Sequence, residues 1–112
     1  MRPTFHSGQI VLGNRTFERS DINIGDIVVF KDDTDHTCVK RVLALPGEVV
    51  VQTEGRLYIN GIEKYPYETA DDAEYILNED EVYVCGDNHG NSVDSRTYGP
   101  VSYEKIECIV YQ

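Results

Sequence analysis

Two stretches of this 112-residue chain carry side chains whose type and spacing could do chemistry. The first is Thr37 to Leu45, TCVKRVLAL, where Lys40 and Arg41 stand side by side in an apolar run. Read as a strand, the run has period two. Cys38, Lys40, Val42 and Ala44 then share one face, and Val39, Arg41, Leu43 and Leu45 the other. Adjacent cations must point opposite ways, so at least one meets an apolar environment. A lysine desolvated there loses pKa, because burial disfavours the charged form, and a neutral amine is a general base. The strand alone also admits a plainer outcome, in which both stems lie along apolar surface and both heads reach water.

The second stretch runs from Gly86-Asp87-Asn88 through Asn91-Ser92 and Asp94-Ser95-Arg96 to Tyr98-Gly99. Its Asp, Asn, Ser and Gly content predicts a turn held by side-chain-to-backbone hydrogen bonds. A calcium loop fails on its ligand pattern: His89 takes the third place and no Glu closes the loop. His6, His36 and His89 lack the spacing of a metal site or a triad and read as solvated loop residues. Neither a metal nor a cofactor is expected.

The elements that must position these residues are strands. Gln9–Leu12, Asp26–Phe30, Thr37–Leu45, Val49–Gln52, Arg56–Asn60, Glu81–Cys85 and Lys105–Tyr111 are rich in β-branched and aromatic residues between Gly, Asn, Asp or Pro. Asn60-Gly61 between Leu57-Tyr58-Ile59 and Ile62 is a strong hairpin signal. No window offers a three-turn amphipathic helix, although Thr69–Leu77 could form one or two turns. Glu63–Glu81 is acidic, bears tyrosines and has weak periodicity, so it reads as a long loop or a short variable insertion with a solvated face. The expected fold is mainly β: a small, partly open barrel, or two curled antiparallel sheets, with that insertion as a short subdomain of one domain spanning residues 1–112.

Composition narrows the partners. Ten Lys and Arg against twenty Asp and Glu give a formal charge of −10, so the basic stripe that nucleic acid requires is missing and adhesion to anionic lipid is disfavoured. Val42–Val51, interrupted by Pro46, Gly47 and Glu48, is too short to span a bilayer, and no signal peptide is present. Any membrane anchor is expected outside this sequence. Cys38, Cys85 and Cys108 lack CxxC spacing and fall in apolar strands, which suits buried free thiols, with one long-range disulfide as the alternative.

Taken in order, Met1-Arg2-Pro3-Thr4-Phe5, then Gly25-Asp26-Ile27-Val28-Val29-Phe30, then Val39-Lys40-Arg41-Val42 with Leu45-Pro46-Gly47, then the Gly86–Gly99 stretch resemble the bacterial type I signal peptidases, from Met1 to about Val101. The resemblance implies a membrane-anchored serine endopeptidase with a Ser-Lys dyad, working on the extracytoplasmic face of the cell membrane. Its substrates would be the signal peptides of secreted preproteins, cut after small residues of the Ala-x-Ala type. Lys40 matches the general base and Ser92 the serine that hydrogen-bonds the base amine. Arg41, Gly86, Asp87, Asp94 and Arg96 match supports of the site, Asp94 and Arg96 as a charged pair. Met1, Phe5, Val11, Val29, Cys38 and Val39 would line the pockets for small substrate residues, with Thr37–Val42 as the sheet edge to which the peptide adds.

The family's nucleophilic serine immediately precedes the methionine of Met-x-Pro-Thr. The expectation is therefore that this residue falls before Met1 and that the 112 residues as given are inactive. An ordinary lysine is about one part in a thousand neutral at neutral pH, and a shift of about three units corresponds to about 4 kcal/mol. Burial beside Cys38 and Val42 is of the right kind to supply it. A non-catalytic relative that binds peptides or pilin-like substrates is the alternative. A Ser-Lys self-cleaving repressor domain would need a DNA-binding segment and a cleavable linker, whereas Cys85-Gly86 lies inside the fourth motif.

Overall fold

The computed structural model describes residues 13–14, 22–87 and 93–110, the first two as backbone only. Ten strands run in chain order: β1 Gly13–Asn14, β2 Ile27–Lys31, β3 Thr37–Ala44, β4 Val49–Thr53, β5 Arg56–Ile59, β6 Ile62–Glu68, β7 Ala73–Ile76, β8 Glu81–Cys85, β9 Val101–Ser102 and β10 Ile106–Val110. A single helical turn, α1, spans Ser95–Tyr98, and a 3-10 turn spans Tyr103–Lys105. The strands form two antiparallel sheets, ordered β1-β10-β2-β3-β8-β9 and β6-β5-β4-β7, and neither closes into a barrel. The second of the two expected forms is thus the one observed.

The larger sheet is buried on both faces. On one, Val28, Phe30, Val42, Val84 and Ile109 pack with Val101 and Tyr103. On the other, Ile27, Val29, Cys108 and Val110 form one cluster, while Leu43, Ala44, Tyr83 and Cys85 meet Val50, Leu57 and Ile59 of the smaller sheet in another. Two faces of apolar contact explain why these strands read as near-continuous hydrophobic runs. The cysteines are free thiols, two buried and Cys38 half-buried, so the disulfide alternative is not realised.

The smaller sheet is built by tight turns. Asn60 (φ 52°) and Gly61 (φ 81°) both occupy the left-handed region, as a two-residue hairpin turn of type I′ demands, and Ile59 pairs with Ile62 across it. Glu54-Gly55 makes the same turn between β4 and β5.

Three expectations are corrected. Thr69–Leu77 forms no helix, because Ala73–Ile76 pairs along β4 and alternates half-buried Ala73 and Tyr75 with exposed Glu74 and Ile76. Glu63–Glu81 is not a long loop, because most of it forms β6 and β7 at the two edges of the smaller sheet. Strict alternation in β3 holds only to Leu43. The register to β8 shifts between Val42 and Ala44, a bulge that puts Ala44 beside Leu43 and Leu45 against the opposite core. The Gln9–Leu12 strand lies outside the described residues.

Candidate active site

The site grows from the middle of β3. Cys38 packs toward Phe30 and Val42, whereas Val39 packs with Val29 on the other face. Alternation therefore places Lys40 between Cys38 and Val42, and Lys40 is half-buried there. The nearby Lys40 charge acts on the Cys38 thiol, but burial and the charge of Asp32 outweigh it and push that thiol up. Cys38 is thus a neutral neighbour and a poor nucleophile.

Arg41 points the opposite way, as the pleat requires. Its Nε and Nη2 donate to the two carboxylate oxygens of Asp87 at 3.0 and 3.1 Å, and Nη1 donates to the Gly25 carbonyl at 2.9 Å. These bonds to Asp87 hold the guanidinium above its ordinary pKa against the opposing effect of burial.

A second pair closes the same loop from its far side. Asp94, fully buried, accepts from Gly86 N at 2.8 Å, from Arg96 N at 3.0 Å, and from Arg96 Nε and Nη2 at 3.0 and 2.7 Å. It is also the N-cap of α1, which is why a four-residue turn persists there. Burial works against the Arg96 charge, yet the hydrogen bonds and charge of Asp94 prevail and its pKa is raised. Arg96 further donates to the Glu68 carbonyl at 3.1 Å and lies 5.3 Å from the centroid of the Tyr67 ring. Asp94 therefore holds Gly86, and Asp87 next to it is held by Arg41 on the face of β3 opposite Lys40.

Three supporting residues escaped sequence reasoning. Ser95 Oγ accepts from Val84 N at 2.9 Å and ties α1 to β8. Buried Gln52 donates to the carbonyls of Asp71 and Arg96 at 3.0 and 3.1 Å and accepts from the Tyr83 hydroxyl at 2.6 Å. The available signal was a lone polar residue, Gln52, at the inward parity of Val50.

Of the residues implied by resemblance, Arg41 bonds Asp87, and Asp94 bonds Gly86 and Arg96, whereas Lys40 lies on the face of β3 opposite Arg41. Cys38 shares the Lys40 face, but Val29 and Val39 lie on the reverse, so the three cannot line one wall of one pocket. Met1, Phe5, Val11 and Ser92 lie outside the described residues. The expectation that Thr37–Val42 is a sheet edge needs revision, because β3 is an interior strand. β8 pairs with β3 only at Arg41, Val42 and Ala44. Among the described strands, Thr37–Val39 pair with β2 alone. Val42 N donates to Asp26 O toward β2 at 2.8 Å. Parity then turns the main-chain groups of Thr37 and Val39 away from β2.

The family model described as signal peptidase, peptidase S26, matches residues 1–110. Signal peptidase I of Bacillus amyloliquefaciens is 36% identical over an alignment covering 86% of this chain and 60% of its own length. Signal peptidase I V of Bacillus subtilis is 30% identical, over 98% of this chain and 77% of its own length. The crystal structure of a signal peptidase I from Enterococcus faecalis superposes with a TM-score of 0.63 at 25% identity, covering 80% of this chain and 97% of that one. This chain thus spans about 60% of the first of these relatives. Among the described residues, no helix is long and apolar enough to cross a membrane. The matching strands, the clamped loop and these relatives agree: the chain belongs to the bacterial type I signal peptidase family.

Proposed function

We propose that this chain is the catalytic core of a signal peptidase that cuts secreted preproteins after small residues by a Ser-Lys mechanism. The observation that supports it is half-buried Lys40 on the strand whose next residue, Arg41, pairs with Asp87, while Asp94, paired with Arg96, holds Gly86. Lys40 acts as general base, taking the proton of the serine nucleophile. Ser92 orients that amine, as the third member of a triad orients its base. Arg41, Asp87, Asp94 and Arg96 hold the geometry, and Met1, Phe5, Val11, Val29, Cys38 and Val39 surround the substrate peptide. That peptide adds along Thr37–Val39, on the side away from β2, by main-chain pairing.

The working enzyme sits on the extracytoplasmic face of the cell membrane, anchored by a segment outside these 112 residues, and its serine stands immediately before the position of Met1. The test is cleavage of an Ala-x-Ala preprotein by the protein carrying that serine. Lys40→Ala and Ser92→Ala should each lower kcat, the first by about a thousandfold or more, while the 112 residues alone should not cut. Turnover that survives Lys40→Ala, or turnover by the 112 residues alone, would sink the dyad assignment.

A further inference from the structure

The core of the smaller sheet contains one polar side chain that the sheet itself does not need. Gln52 leaves 1% of its surface exposed, opposite Leu57 of β5 and Ala73 of β7. Main-chain groups make both of those ladders and do not call on its side chain. The amide is nevertheless fully committed. Nε2 donates to the Asp71 and Arg96 carbonyls at 3.0 and 3.1 Å, and Oε1 accepts from the Tyr83 hydroxyl at 2.6 Å. Carbonyl oxygens only accept, so the nitrogen must face them and the hydroxyl must donate. A buried network satisfied in this way fixes one arrangement of the parts it joins.

The bond to Arg96 joins β4 to α1, 44 residues away in sequence. A single helical turn does not hold itself together, so its place is set from outside. Ser95 ties α1 to β8, and the smaller sheet holds the rest. Gln52 grips the Arg96 carbonyl, the Glu68 carbonyl accepts from Arg96 Nη1 at 3.1 Å, and the Tyr67 ring lies against the guanidinium. At the end of the turn, Gly99 lies so close to Tyr75 of β7 that a Cβ there would sit 3.3 Å from the hydroxyl. At its start, Asp94 caps the turn and accepts from Gly86 N at 2.8 Å. Residues 87–93, Ser92 among them, therefore leave and return at a bond whose place α1 sets.

We infer that Gln52 is a positioning residue for the peptidase reaction: by holding the Arg96 carbonyl it sets the place of α1 and, through Asp94, that of the stretch carrying Ser92. The smaller sheet then acts on catalysis without touching substrate. The inference rests on the proposed peptidase reading.

The test uses the protein that carries the serine before Met1, cleaving an Ala-x-Ala preprotein well below its melting temperature. Gln52→Met keeps the volume and removes the amide; kcat should fall about tenfold with KM unchanged. Ile59→Val, an apolar change in the same core, should lower the melting temperature and leave kcat within about twofold of the parent. Adding Tyr83→Phe to Gln52→Met removes the hydroxyl that the first change leaves without a partner. The double variant should melt above Gln52→Met while its kcat stays low. A kcat that recovers with the melting temperature, an equal fall in Ile59→Val, or an effect of Gln52→Met confined to KM would overturn the inference and leave the peptidase reading intact. So would a kcat for Gln52→Met within about twofold of the parent. An inactive parent would sink both.

Discussion

The two ion pairs flanking the Gly86–Asp94 loop use the same chemistry in different surroundings. Each is an arginine donating two hydrogen bonds to an aspartate. Asp94 and Arg96 leave 0% and 5% of their side chains exposed, whereas Arg41 and Asp87 leave 29% and 19%. Surroundings decide what each pair contributes. Where water is excluded, the loss of one partner strands a charge that nothing else can solvate. Where water still reaches, solvent makes up much of the loss. The inner clamp is thus predicted to govern folding and the outer clamp to tune the position of the loop.

The largest effect should follow from breaking the inner clamp. Arg96→Ala leaves the Asp94 carboxylate buried without its guanidinium and should cost about 3–5 kcal/mol. At about 4 °C of melting temperature per kcal/mol, this approaches the full stability of a domain of this size. Thermal melts monitored by circular dichroism would show it, and a shift no larger than that of Arg41→Ala would refute the contrast. Gln52→Ala comes next. It strips the Tyr83 hydroxyl and the Arg96 carbonyl of their buried partner, and each orphaned group costs about 1–3 kcal/mol.

Arg41→Ala should cost less, about 1–2 kcal/mol, between the values for exposed and buried pairs. The sharper signature lies elsewhere. Because Arg41 follows Lys40 on β3 and bonds Asp87, its loss should lower kcat of the intact peptidase more than its stability loss explains. Ser92→Ala should do the reverse of Arg96→Ala, leaving the melting curve nearly unchanged while impairing catalysis.

Much of this arrangement was legible in the sequence. Strands buried on both faces advertise themselves by unbroken apolar runs, which is why β2, β3, β8 and β10 were anticipated nearly to the residue. The Asn60-Gly61 turn was legible because two successive left-handed residues restrict the choice of side chain. The pairing of Asp94 with Arg96 came from motif resemblance, and its burial is visible only in the fold. Hidden from sequence were β6 and β7. They are the edges of a small sheet, with Tyr67 and Tyr75 packed on its core, and the polar residues between them mask the period of two. Also hidden was the bulge at Ala44. Nothing local in TCVKRVLAL announces where the ladder to β8 slips, and the slip is what puts Ala44 in the same core as Leu43.

The smallest expected effect extends the comparison to a third aspartate, in the turn after β2. Asp32 Oδ1 accepts from the Thr34 hydroxyl at 2.7 Å and from the Thr34 and His36 amides at 2.9 and 3.0 Å. The Thr34 hydroxyl bond, then the His36 amide, hold its pKa below the ordinary 3.8. A folded-state pKa lower than the unfolded one means stability that is fully present above 3.8 and lost as pH falls through the lower folded value. Asp32→Asn keeps the Oδ1 acceptor but removes the titration. The variant should melt slightly below the parent at neutral pH and lose less stability on acidification, so that the two converge below about pH 4. Paired melts at neutral and acid pH test this. A drop at neutral pH matching that of Arg41→Ala would mean that charge counts as much at this open turn as at the half-buried clamp, and the ordering by burial would fail.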